Sequence, residues 1–151
     1  MLVAWQSSLP YVRMTVDMDI MVDLSEENMG RLVEVMEGLG YVPRLPVQGV
    51  ALVSKQTREE WIREKGATVF TFIDPKQPFK QVDIFLSNPL DFEQAYAQRQ
   101  VLIVGGTPIS MISLDDLIRM KVAVGRPRDL EDVQHLHRIK QLKERRLLDE
   151  G

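Results

Sequence analysis

The chain has 151 residues, 44% apolar and 27% charged, with a net charge of −3, no cysteine and two histidines. That length suits a single domain, 1–151, around one core. The lack of cysteine excludes a disulfide framework and thiolate chemistry, and two histidines are too few for an ordinary zinc site.

The slightly acidic balance supplies no general attraction to nucleic acid. No apolar run approaches the roughly 20 residues that span a bilayer. The opening Met1-Leu2-Val3-Ala4-Trp5-Gln6 lacks the basic region and long apolar stretch of a secretory signal. A cytoplasmic protein without a membrane partner is therefore expected.

Residues 1–10 are poorly patterned. From Thr15 the chain alternates: Val16, Met18, Ile20 and Val22 point one way, and Asp17, Asp19, Met21 and Asp23 the other. That period of two predicts a strand with an apolar and an acidic face. Ser25 starts a helix as its cap, with Glu26 and Glu27 at the positive end of the dipole. Met29, Leu32, Val33, Met36 and Leu39 recur at helical spacing until Gly38 and Gly40 stop it. Pro43 and Pro46 forbid continuation.

Val50 to Val53 reads as a short strand, and Arg58 to Lys65 as a charged helix anchored by Trp61 and Ile62. Thr68 to Ile73 and Gln81 to Leu86 are β-rich runs separated by Asp74-Pro75-Lys76-Gln77-Pro78, which predicts an antiparallel hairpin. Asp91 to Gln98 is a short helix, and Val101 to Val104 and Thr107 to Ile112 are strands joined by Gly105-Gly106. Ser113 with Asp116 three residues on makes a capping-box-like start for a helix running to Gly125. Asp129 reads as the cap of the last helix, whose stripe is Val133, Leu136, Ile139 and Leu142.

The sharpest chemical signal is Asp17-Met18-Asp19. On a strand, residues two apart share a face about 6.6 Å apart along the chain. Their carboxylates repel unless something neutralises them, and a divalent cation does so. Oxygen ligands suit Mg²⁺ (or Mn²⁺), which takes one or two carboxylates together with phosphate oxygens and water. Asp83 lies in a second alternating run, Val82-Asp83-Ile84, and would add a third carboxylate if its strand lay beside the first. Three such acids can hold two metal ions for an in-line displacement at phosphorus, with Asp83 also placed as a base. Set against this, Asp-x-Asp is frequent by chance, and acids on an exposed strand face ordinarily just solvate the protein. Glycosyltransferases use Asp-x-Asp as well, in generally longer chains.

The segment Arg13-Met14-Thr15-Val16-Asp17-Met18-Asp19-Ile20-Met21-Val22, followed by the helix capped at Ser25 and ending at Leu39-Gly40-Tyr41, resembles the nucleotidyltransferase superfamily. It looks most like its AbiEii-type branch and related uncharacterised prokaryotic proteins. Val82-Asp83-Ile84-Phe85 resembles the third-acid strand. Ser113 to Lys121 and Arg126 to Val133 resemble the C-terminal motif, in which a helical Lys precedes a basic-Asp-x-x-Asp element. These four motifs, in the family's order, span about residues 11 to 137.

The resemblance implies an α+β, nucleotidyltransferase-like fold with a mixed sheet flanked by helices and C-terminal helices. It implies Asp17, Asp19 and Asp83 as catalytic metal ligands for Mg²⁺ or Mn²⁺, Lys121 and Asp129 as nucleotide or acceptor contacts, and an NTP substrate. Arg13 and Thr15 read as scaffold or rim. The acceptor is open: RNA, protein or a small molecule. A structural reading stands beside this one, with Asp129 and Asp132 serving the last helix and Lys121 pairing with a nearby acid.

The family's glycine pair, whose backbone helps cradle the triphosphate, has no counterpart before Arg13, and Gly105-Gly106 lies in the wrong place to substitute. Val3-Ala4-Trp5-Gln6 resembles the tail of the helix expected there. This departure implies either a start placed too far downstream or a reduced member. In the second case the fold would serve nucleotide sensing or protein interaction, with a cognate antitoxin as the implied partner. The basic run Arg138 to Arg146 reads as a solvated helix face, with RNA contact the alternative, and His135 and His137 are spaced wrongly for one helix face.

Overall fold

The computed structural model describes residues 2–5, 16–124 and 127–149. These residues form an α+β fold built on a mixed seven-stranded sheet with flanking helices. The strands are β1 (Leu2–Trp5), β2 (Val16–Met21), β3 (Val42–Pro43), β4 (Val69–Asp74), β5 (Gln77–Phe85), β6 (Gln100–Val104) and β7 (Thr107–Met111). The helices are α1 (Glu26–Gly38), α2 (Lys55–Lys65), α3 (Phe92–Ala97), α4 (Leu114–Val124) and α5 (Pro127–Asp149). Across the sheet the order is β3-β4-β5-β2-β1-β7-β6. The β2–β5 and β1–β7 pairs are parallel and the others antiparallel. Among the described residues no helix is long and apolar enough to cross a membrane.

The alternation in β2 divides the molecule. Ile20 and Val22 enter the main core with Val82, Ile84 and Leu86 of the β5 region and Phe70 and Phe72 of β4. Met29, Val33 and Met36 close that core from α1, one side chain per turn. Ser25 caps α1 by accepting from the Asn28 amide, and Asp23 in turn accepts from the Ser25 amide at 3.0 Å. On the opposite face Met21, 1% exposed, packs with Ala95, Phe85 and Tyr96 beneath α3. Ile112 and Met120 extend this second layer beneath α4.

Several short segments differ from their sequence reading. Residues 2–5 are not the tail of a helix: they form β1, antiparallel to β2 and parallel to β7. Four residues hold too little periodicity to choose a state, and pairing on both sides chooses extended backbone. Val50 to Val53 is not a strand. Gly49–Leu52 is a 3-10 turn, and its Leu52 is fully buried in the main core. Helix α2 starts earlier than expected, at Lys55, because Ser54 caps it by accepting from Thr57. Asp129 is not the cap of α5 but a first-turn residue, since Pro127 opens the helix, the position where its missing N–H costs nothing. The hairpin β4–β5 forms as its sequence predicts, but Gln77 and Pro78 belong to β5 rather than to the turn. Gly105 and Gly106, at φ 56° and 82°, close the β6–β7 hairpin with the two left-handed residues that match strand twist.

Candidate functional site

Three strands bring the acids together. In the parallel β2–β5 register Asp19 stands opposite Asp83, and Asp17 opposite Gln81. In the antiparallel β4–β5 register Thr71 stands opposite Asp83. Side chains opposite one another across neighbouring strands share a face, so Thr71, Asp83 and Asp19 form one row. Thr71 Oγ1 donates to Asp83 Oδ1 at 2.5 Å, which fixes the direction of that carboxylate. Asp19 and Asp83 are both half-buried.

The row lies on the second face of the sheet, the one opposite the main core. Further along the same two strands that face becomes apolar at Met21 and Phe85, where α3 and α4 cover it. The alternation that makes one side of β2 a core surface thus puts Asp19 on the same face as this apolar cluster, two residues before Met21. Asp17 has its backbone in β2, and its side chain lies outside the described residues, as do Arg13 and Thr15. Among the described residues no group of three or more His, Asp or Glu side chains is placed to hold a metal ion. The described donors are two carboxylates on adjacent strands. That set fits Mg²⁺ or Mn²⁺, which bind oxygen and commonly use one or two protein carboxylates.

Lys121 and Asp129 make a separate set between α4 and α5. Lys121 is 7% exposed. Its Nζ lies 2.6 Å from Asp132 Oδ2 and 3.8 Å from Asp129 Oδ1. Asp129 is buried too, and its Oδ2 has no hydrogen-bond partner among the described residues. Removing one member of such a set would strand buried charge. The Lys side chain is therefore held in the helix interface by two acids.

Three residues near the acids were not singled out by their sequence. Thr71 belongs to an alternating run whose polar position was the available signal. Gln81 faces the same way as Asp83, two residues on. Arg44 donates from Nη1 to Gln81 Oε1 at 2.9 Å, although 37 residues separate them, and no local pattern around Arg44 signals that contact. On the other face a hollow of about 360 Å³ is lined by Leu24, Lys55, Arg58, Ile62 and Leu86. It is separate from the acid row.

No family model, curated protein or solved structure matches this chain.

Proposed function

We propose that the protein is a metal-dependent nucleotidyltransferase with a nucleotidyltransferase-like fold of the AbiEii type, moving a nucleoside monophosphate from an NTP to an acceptor hydroxyl. The observation that carries this reading is the side-by-side placement of Asp19 and Asp83 on adjacent parallel strands, with Asp17 in the neighbouring row. The order of the sequence motifs supports it further. Asp17, Asp19 and Asp83 would hold Mg²⁺ or Mn²⁺, which when bound neutralises their mutual repulsion and charge on phosphate. Thr71 positions Asp83 by its hydrogen bond to Oδ1. Asp83 receives the proton of the acceptor hydroxyl as its oxygen bonds to the α-phosphorus and the bond to pyrophosphate breaks.

The test is calorimetric binding of Mn²⁺ and of Mg-ATP to the wild type, Asp19→Ala and Asp83→Ala, with circular dichroism to verify folding. The variants should lose at least about tenfold in Mn²⁺ affinity, since even outer partners of metal ligands contribute that much. Equal affinity in all three proteins would sink the proposal.

A second reading is favoured by one specific observation. Lys121, the cation that the family resemblance would send to a phosphate or acceptor, is engaged by Asp129 and Asp132. In this reading the fold is retained without catalysis, as a nucleotide-sensing or protein-interaction module with a cognate antitoxin as partner. Nucleotidylation of any RNA or protein by the purified wild type, lost in Asp19→Ala, would eliminate it.

A further inference from the structure

We propose that Arg44 is the residue that receives the polyphosphate of the nucleotide on the acid-bearing face; the role rests on the nucleotidyltransferase reading above. The placement follows from register. Val42 pairs with Ile73 and Pro43 with Phe72, so the next position sets Arg44 beside Thr71. The Arg44 amide donates to the Thr71 carbonyl at 2.9 Å, which continues the pairing by one residue. Arg44, Thr71, Asp83 and Asp19 thus occupy successive places in one row across four neighbouring segments of backbone.

The side chain leans diagonally over β4, from this row into the neighbouring one that holds Ile73, Gln81 and Asp17. Strands lie about 4.8 Å apart, and the Arg44 guanidinium crosses β4 to reach Gln81 on β5. Gln81 is two residues before Asp83 on the same face and stands opposite Asp17. The guanidinium is therefore brought to the row next to that of Asp83 and Asp19. Its one side-chain hydrogen bond among the described residues goes to a neutral amide, and it makes no ion pair with a described carboxylate.

A cation held by a neutral acceptor keeps both its charge and its remaining N–H donors for a ligand. A planar guanidinium presents them in a fork that matches phosphate oxygens two at a time. Pro43 restricts the backbone just before it, and the bond to Thr71 fixes it again. The backbone that carries the guanidinium therefore needs little further ordering on binding. Lys121 does not take this role, because two acids already hold it.

The experiment is titration calorimetry with inorganic tripolyphosphate, with and without Mn²⁺, on the wild type, Arg44→Ala and Arg44→Lys at one fixed salt concentration. Mn²⁺ alone is titrated in parallel. Arg44 is exposed, so both variants should fold. Arg44→Ala should weaken tripolyphosphate binding about tenfold or more, the size expected for a lost charge-assisted hydrogen bond. Arg44→Lys should recover only part, since an ammonium cannot grip two oxygens as a fork. Binding of Mn²⁺ alone should not change in either variant. Equal tripolyphosphate affinity in Arg44→Ala and the wild type, or no binding by the wild type, overturns the proposal. If the wild type binds no Mn²⁺ yet binds tripolyphosphate through Arg44, the transferase reading fails and the anion site stands.

Discussion

Arg58 donates to the carbonyls of Leu24, Leu52 and Val53 at 2.8, 2.7 and 2.6 Å and is 3% exposed. One side chain thereby ties together the chain after β2, the 3-10 turn and α2. Burial pulls its pKa below the ordinary value, and Glu26 and Glu59 work against that shift. A guanidinium stays charged regardless. Arg58→Leu would leave these carbonyls without their donor, and the urea midpoint should fall by the equivalent of about 2–4 kcal/mol. Asp115 differs because it is exposed. The hydrogen bond from Lys140, at 2.7 Å, is the largest cause holding its pKa below the ordinary 3.8. A folded-state pKa below the unfolded one gives stability that is present above 3.8 and lost as pH falls through the lower value. Asp115→Asn should therefore melt lower than the wild type at neutral pH, with the gap closing in acid; a gap that persists at the lowest pH would contradict this.

Among the elements, β6 stands out as an edge. Val101, Leu102, Ile103 and Val104 are 51%, 46%, 68% and 54% exposed, and among the described residues only β7 pairs with the strand. It carries none of the charges or prolines that ordinarily blunt a sheet edge. Ile103→Lys should leave folding stability within about 0.5 kcal/mol, and light scattering during heating should show delayed aggregation. How far each element was legible depended on length and on a partner. The alternation from Val16 to Val22 was long enough to give both the strand and its two faces. The helical spacing from Met29 to Met36 was equally plain. Val50 to Val53 was not, because a short apolar run fits several states until its surroundings choose one. The charged helix was underestimated at its start because Ser54 announces a cap only once the turn before it is known.

For the whole molecule, the candidate site shows what sequence order conceals. Asp17 and Asp19 are legible as neighbours on one strand, and Asp83 as a polar position in another. That Asp19 and Asp83 stand opposite one another depends on the β2–β5 register, and a shift of one residue would send Asp83 to the other face. Arg44 was harder still, since its contact with Gln81 crosses an intervening strand. The same sheet also has one joint. β1 pairs with β2 on one side and with β7 on the other, so among the described strands it alone joins β3-β4-β5-β2 to the hairpin β7-β6. Val3 meets Met111 there. As the chain leaves the ribosome, the strand that covers the far edge of β1 comes about a hundred residues after it. Contacts so distant in sequence slow folding, so the nascent chain must carry that strand edge without β7 while the intervening residues are made.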